Sequence, residues 1–251
     1  MAQSGNPTFN QNKLSKVDTA SASKAMTTGG TYLKTFLLLM IVILSATFSW
    51  GWMKSSIVES GIRWLPFWIA SFATLFLAMA ISFNPPKAKL LAIPYAIIQG
   101  SLLGIISGTF ANSYEGIVGQ AIFLTLAVFL AVFVGYTLGL LKATPAFARV
   151  IITAMLGILM FSLLTWVFSL FSIVTPVTYS YGTWGVVYSL AIVLVAALSL
   201  VLDFDFIDEA ARRGYPKYFE WYGAFGLMVG LIWLYIEILR LLARLAARSQ
   251  R

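Results

Sequence analysis

The amino-acid sequence predicts an all-α membrane protein that crosses the bilayer seven times. Of its 251 residues, 60% are hydrophobic and only 10% are charged, whereas soluble domains carry about 25% charged residues. The hydrophobic residues are grouped into blocks, and a hydrocarbon core about 30 Å thick needs blocks of about 20 residues for each helix that spans it. Composition and block length together therefore indicate helices in lipid.

Seven blocks of the required length follow one another along the chain. The predicted spans are Thr35 to Met53, Trp64 to Phe83, Leu90 to Phe110, Ile117 to Leu141, Val150 to Phe171, Trp184 to Leu202 and Trp221 to Ala243. Charged residues or helix breakers separate them, at Lys54 to Arg63, Asn84 to Lys87, Asn112 to Gly116, Lys142 to Arg149, Thr175 to Gly182 and Arg212 to Pro216. We place a seven-helix domain at residues 31–246, between a polar, disordered tail at 1–30 and a basic tail at 247–251.

The distribution of basic residues predicts that the amino terminus is cytoplasmic. Segments on the side of the amino terminus carry eleven Lys or Arg residues, and the loops on the other side carry two. Cytoplasmic loops favour positive charge. The eleven are Lys13, Lys16, Lys24, Lys34, Lys87, Lys89, Lys142, Arg149, Arg212, Arg213 and Lys217, and the two are Lys54 and Arg63.

The carboxyl end disagrees with this orientation. Seven spans place it outside, yet Arg240, Arg244, Arg248 and Arg251 form a basic end that would favour the inside. Either the early helices set the orientation and override these charges, or the last segment is re-entrant and returns inward.

The residue types that are missing exclude several kinds of chemistry. The chain has no cysteine and no histidine, which removes thiolate nucleophiles, imidazole bases, disulfides and the usual zinc ligands. An intramembrane aspartyl protease needs aspartates on two different helices, and the sixth helix alone offers them at a suitable depth. We therefore expect no enzyme and no cofactor. The net charge of +8 is scattered over helix ends, so we expect no nucleic-acid partner.

Six of the nine acidic residues lie in the last fifth of the chain. Asp208 and Glu209 each precede an arginine by four residues, and Glu237 precedes Arg240 by three, so helical ion pairs are expected at all three. The six are Asp203, Asp205, Asp208, Glu209, Glu220 and Glu237.

Asp203 differs because no cation follows it at helical spacing. If the sixth helix continues to Gly214, Asp203 lies about 16 Å from the turn, deep enough that a carboxylate costs a few kcal/mol and is a functional-site hypothesis. Burial and nearby negative charge favour the protonated form of a carboxyl group. Asp203 is therefore predicted to be a proton sensor or a cation site, with Asp205 as its neighbour. The alternative is an aspartate that hydrogen-bonds a backbone amide or is hydrated at the interface.

Small residues recur at helical spacing on two of the predicted helices. Gly100 and Gly104 lie four residues apart on the third helix, and Gly226 and Gly230 share a face of the seventh. Such stripes allow helix backbones to approach closely. If helices six and seven pack antiparallel, Asp203 lies opposite Gly226 to Gly230.

Two carboxyl-terminal segments resemble the last two helices of the Bax inhibitor-1/YccA family, in its bacterial branch. These segments are Leu202 to Ile207, followed by a basic turn, and Trp233 to Leu242. Asn6 to Phe9, Met26 to Gly30 and Tyr95 to Gly104 are also similar to the family. The resemblance covers nearly the whole chain from Met26 onward. It implies a bundle in which the last helix is surrounded by the other six.

The resemblance also implies a pH-sensitive calcium leak controlled by two acidic residues, one on the sixth helix and one on the seventh. Asp203 matches the first, with Asp205 as the register alternative, and oxygen ligands from both would suit calcium. The second aligns with Gly230, which has no carboxyl group, so Asp205, Glu220 or Glu237 would have to take its role. A non-conducting regulator of membrane proteases or stress responses is the alternative function that the family suggests.

Overall fold

A computed structural model describes residues 25–60, 64–171 and 183–249. It contains seven long α-helices, each long and apolar enough to cross a membrane, which confirms the predicted number of spans. They are α1 (Thr28–Ser60), α2 (Trp64–Phe83), α3 (Ala88–Ser113), α4 (Ile117–Thr137), α5 (Pro145–Leu170), α6 (Thr183–Arg212) and α7 (Phe219–Ser249), with a short 3-10 turn at Pro85–Lys87 before α3.

Local sequence signals explain several helix ends. Thr144 caps α5 by accepting a hydrogen bond from the backbone N–H of Phe147 at 3.2 Å, and Pro145 occupies the first helical position. Gly214 adopts a positive φ of 67° just after α6, a conformation that glycine reaches without strain. Because α6 continues to Arg212 before this turn, the predicted continuation of the sixth helix beyond Leu202 is confirmed.

The helices at the two ends of the chain extend beyond the predicted domain boundaries. α1 begins at Thr28, three residues before the domain boundary placed at residue 31. The backbone N–H of Met26 donates to the carbonyl of Tyr215 at 2.8 Å, so the chain before α1 is bound to the turn between α6 and α7. At the other end α7 continues to Ser249, three residues into the predicted basic tail. The rest of the predicted amino-terminal tail, residues 1–24, lies outside the described residues.

The last helix occupies the centre of the bundle. α7 packs extensively against α1, α3, α4 and α6, and it is the most buried of the seven spans. α2 and α5 lie at the periphery, and α5 is the least buried. Large apolar side chains on α1 to α6 point outward, among them Phe48, Phe76 and Phe123. An apolar exterior of this kind requires a lipid environment.

Two of the predicted small-residue contacts bring α1 and α3 together. A Cβ atom added to Gly100 would lie 2.5 Å from the carbonyl oxygen of Val42, and one added to Gly104 would overlap Ser49 and the carbonyl of Ala46. On α7 the same prediction holds at Gly230 but is wrong at Gly226. A Cβ on Gly226 would meet no atom within 4 Å, because this residue borders a cavity.

Candidate functional site

Asp203 lies on the face of α6 that packs against α7. A Cβ atom on Gly230 would lie 2.9 Å from Oδ2 of Asp203 and 3.1 Å from Cδ2 of Leu200. The antiparallel packing that the sequence predicted is thus confirmed, with Asp203 opposite Gly230. Gly230 is eleven residues into α7, about 16 Å from its start, so the carboxyl group lies well inside the bundle.

The carboxyl group of Asp203 borders a cavity of about 490 Å³, which we call the Asp203 cavity. Segments of α2, α5, α6 and α7 form its walls. Apart from Asp203, the polar side chains that line it are Ser82, Ser199 and Tyr222. Among the described residues lining this cavity, Asp203 is the one with a charged side chain.

Asp203 has no partner among the residues that the structure describes. The ion pairs of these residues join Lys34 with Glu220, Arg212 and Arg213 with Glu209, and Arg240 with Glu237. No described side chain or backbone group hydrogen-bonds the Asp203 carboxyl group. An arginine does not neutralise it, and because it is half-buried, bulk water does not fully surround it. The alternative in which a backbone amide satisfies Asp203 is not observed.

Asp205 does not join Asp203, although the sequence suggested that the two could share a calcium ion. It borders a separate cavity of about 550 Å³ at the end of the bundle that holds Thr28, which we call the amino-terminal cavity. The reason is geometric, since residues two apart on a helix do not face each other. Across residues 25–60, 64–171 and 183–249, no group of three or more acidic, histidine or cysteine residues is arranged to hold a metal ion.

The amino-terminal cavity also contains Asp208, and its bonding differs from the prediction. The hydroxyl group of Tyr136 donates to Oδ2 of Asp208 at 2.9 Å. Arg212, which was expected to pair with Asp208, lies 2.9 Å from Glu209 instead. Glu209 also takes its predicted partner Arg213 at 2.5 Å, so one exposed carboxylate holds both arginines.

Glu220 is bound by the segment that leads into α1. Its side chain is almost fully buried, and it forms an ion pair with Lys34. The backbone N–H and the hydroxyl group of Thr27 donate to Oε1 at 3.0 and 3.1 Å. Gly30 packs directly against this carboxylate, since a Cβ atom at residue 30 would lie 2.5 Å from Oε1 of Glu220. Glu220 therefore does not serve as the second acidic partner of Asp203, and it does not line the Asp203 cavity.

Sequence reasoning missed this arrangement, which we call the Glu220 clamp (Thr27, Gly30, Lys34 and Glu220). The available signal was the run Met26 to Gly30, whose hydroxyl and amide groups can bind a carboxylate. Lys34 was also assigned to the start of the first span as a topological charge. In the structure Lys34 is part of α1, and its ammonium group lies 5.6 Å from the ring centroid of Trp221.

Glu237 forms the ion pair that the sequence predicted, with Arg240 at 2.9 Å. It lies at the opposite end of the bundle and borders a third cavity of about 470 Å³, the arginine cavity, together with Arg240 and Arg244. Seven residues separate Glu237 from Gly230, about 10 Å along α7. Glu237 is therefore not the second acidic partner of Asp203 either.

The fold and the site define a polytopic α-helical membrane protein in which the carboxyl group of Asp203, without a partner among the described residues, borders a cavity between α2, α5, α6 and α7. A family model described as Bax inhibitor 1 like matches residues 6–247, nearly the whole chain. The chain belongs to the Bax inhibitor 1 like family. Neither a curated protein nor a solved structure gives a significant match.

Proposed function

We propose that this protein is a pH-sensitive calcium leak channel of the bacterial plasma membrane, with its amino terminus in the cytoplasm and Asp203 as its proton-sensing group. One observation carries the proposal. Asp203 lies inside a seven-helix membrane bundle, borders a cavity of about 490 Å³, and has no cation among the described residues. An ionised carboxyl group at such a depth in the membrane costs a few kcal/mol of free energy, and residues of this kind mark ion pathways and proton relays.

The chemistry of a carboxylate supports calcium as the conducted ion. Calcium is a hard cation that prefers oxygen ligands, and the Asp203 cavity offers the carboxyl group with the hydroxyl groups of Ser82, Ser199 and Tyr222. Conduction needs binding that is weak enough for release, and one carboxylate with a few hydroxyl groups meets that need. Protonation of Asp203 removes the negative charge, so acidification should reduce calcium flux.

Gly230 changes how such a gate operates in this chain. Where the family resemblance implies a second acidic residue, the side chain is a hydrogen atom in contact range of Asp203. Two carboxyl groups would share a proton and titrate as a pair. With one carboxyl group, we expect the flux to follow a single protonation step.

The test is calcium flux into proteoliposomes that contain the purified protein. Wild-type protein should conduct, with flux that falls on acidification, and Asp203→Asn should lose both the flux and its pH dependence. Glu209→Gln is the matched control, because it removes a carboxylate from the same helix at an exposed site outside all three cavities. Absence of flux in folded wild-type protein would refute the proposal, and so would full flux in Asp203→Asn.

A second candidate function is a non-conducting regulator of membrane proteases or stress responses. The observation that favours it is the isolation of Asp203, since Glu220 and Glu237 are both paired elsewhere. The hydrogen bond from Met26 to Tyr215 fixes the start of α1 at the amino-terminal end of the bundle. For a regulator, deletion of Met1 to Lys24 should abolish the cellular phenotype and leave any flux unchanged.

A further inference from the structure

The Asp203 cavity and the arginine cavity have one lining residue in common, Trp233 on α7. We propose that the indole of Trp233 is the barrier that separates them, and that its displacement joins the two cavities into one water-accessible path along α5, α6 and α7. The location of the barrier follows from the geometry of the bundle alone. Its role in calcium movement rests on the proposed function.

The residues of α7 that line the two cavities form a single helix face. Gly226 and Gly230 border the Asp203 cavity, and Glu237 and Arg240 border the arginine cavity. Trp233 stands three residues after Gly230 and four before Glu237. Residues at such intervals share one face of an α-helix, so the two cavities are successive parts of one crevice that is interrupted at Trp233.

The helices opposite show the same continuity. On α5, Met155 borders the Asp203 cavity, and Ile158, three residues further on, borders the arginine cavity. On α6, which runs in the other direction, Ser199 and Asp203 belong to the first cavity, and Ile192 belongs to the second. The same three helices therefore wall both cavities, and the crevice changes from one to the other at the level of Trp233.

The dimensions suit a barrier made by one side chain. Gly230, which lies opposite Asp203, and Glu237 are seven residues apart on α7. This spacing corresponds to about 10 Å along the helix. A tryptophan ring system is a large, rigid, mainly apolar group, and this one is half-buried in the wall. Replacing it with a methyl group would remove the one side chain that borders both spaces.

The two cavities that the barrier separates differ in the charged side chains that line them. Arg240 and Arg244 line it on α7, with Tyr188 on α6 under the guanidinium group of Arg244 at 5.7 Å. On the far side of Trp233, the Asp203 carboxyl group carries the opposite charge when ionised. Removal of the barrier would therefore connect a cavity lined by Arg240, Arg244 and Glu237 with one in which Asp203 is the charged lining residue.

Thiol accessibility tests the barrier without reference to transport, because the chain has no cysteine of its own. Gly226→Cys introduces a single thiol into the Asp203 cavity, where a Cβ atom meets nothing within 4 Å. Full-length protein in proteoliposomes is treated with a membrane-impermeant, charged methanethiosulfonate. In separate samples, Lys142→Cys and Ser249→Cys, both at exposed positions, report the fractions of molecules with each end of the bundle facing the reagent.

With Trp233 present, labelling of Gly226→Cys should not exceed the fraction that Lys142→Cys reports. When Trp233→Ala is added, Gly226→Cys should also be labelled in the molecules that Ser249→Cys reports, so that molecules of both orientations react. Trp184→Ala is the control, because it deletes an indole that is 79% exposed and borders none of the cavities. If Trp233→Ala does not elute as a folded protein, Trp233→Leu replaces it. Labelling that is unchanged in a folded Trp233 variant would overturn the barrier, and so would labelling from the Ser249 end with Trp233 intact.

Calcium flux in the same vesicles separates failure of the barrier from failure of the proposed function. Trp233→Ala should raise the flux by about tenfold, which corresponds to about 1.4 kcal/mol removed from the limiting step. Increased labelling without calcium flux in any variant would support the barrier and reject the calcium channel. Calcium flux in wild type, with no change in either labelling or flux in Trp233→Ala, would reject the barrier and leave the channel in place.

Discussion

At the scale of single residues, Glu220 and Asp203 differ in whether other side chains bind their carboxyl groups. Glu220 is 1% exposed and receives hydrogen bonds from Thr27 and an ion pair from Lys34. Asp203 has no such donors among the described residues and borders a cavity instead. A buried charge needs a partner or hydrogen bonds. Glu220 therefore has the surroundings of a structural carboxylate, and Asp203 lacks them.

Glu220→Gln should destabilise the protein strongly, because it leaves the ammonium group of Lys34 poorly hydrated and without its partner. Removing one member of a buried pair costs about 3–5 kcal/mol, so we expect a clear fall in the unfolding midpoint in detergent. Glu209→Gln is the matched control, since its ion pairs are exposed, and it should change the midpoint little.

The double variant Lys34→Met with Glu220→Gln shows whether charge pairing is the cause. It removes the unpaired cation together with the anion, so it should regain part of the stability that Glu220→Gln loses. If Glu220→Gln has the same unfolding midpoint as the wild-type protein, the Glu220 clamp does not stabilise the fold.

The sequence predicted two of the three local pairs of these acidic residues correctly, was wrong for Asp208 with Arg212, and missed the distant contacts. Helical spacing is enough to pair Glu209 with Arg213 and Glu237 with Arg240. It does not place Asp208 beside Tyr136, 72 residues away, or Glu220 beside Lys34, 186 residues away. Such contacts depend on how whole helices pack, and the sequence of one helix does not contain that information.

At the scale of helices, the closeness of α1 and α3 depends on two glycines. A methyl group at Gly100 would lie 2.5 Å from the backbone carbonyl of Val42, so the two helices would have to move apart. Overpacking of this kind costs about 1–3 kcal/mol. Gly100→Ala should therefore lower the unfolding midpoint in detergent.

Gly226→Ala provides the control for this prediction on another helix. Nothing lies within 4 Å of the added methyl group, and replacing glycine with alanine inside a helix favours folding by about 0.5–1 kcal/mol. Its midpoint should be unchanged or higher. If both alanine variants melt at the same temperature, close approach at Gly100 is not what holds α1 against α3.

The helices themselves were the part of the fold that the sequence predicted best. Apolar block length identified all seven, because each must span the hydrocarbon core without help from its neighbours. The ends were less accurate, and α1 starts at Thr28 where the first span was placed from Thr35. Polar residues at the end of a membrane helix can remain helical when hydrogen bonds or ion pairs satisfy them. Here Thr31 donates to the carbonyl of Thr27 one turn earlier, and Lys34 pairs with Glu220 on α7.

At the scale of the whole molecule, the course of α7 bears on the conflict between the basic carboxyl end and seven spans. α7 is one uninterrupted helix from Phe219 to Ser249, and nothing in it resembles the break that a re-entrant segment requires. Arg240 pairs with Glu237, and the guanidinium group of Arg244 donates to the carbonyl of Gly185 at 2.5 Å. Local partners of this kind weaken the pull of these two arginines toward the cytoplasm.

Seven complete crossings place the two chain ends on opposite sides of the membrane, and a re-entrant last segment would place them on the same side. We expect an epitope added before Met1 to be protected from protease in intact spheroplasts, and one added after Arg251 to be cleaved. Inverted membrane vesicles should give the reverse pattern. Protection of both epitopes in spheroplasts would contradict the seven-span topology. Cleavage of the amino-terminal epitope alone would keep the seven spans and reverse the orientation, because the parity of the crossings and the direction of insertion are separate properties of the chain.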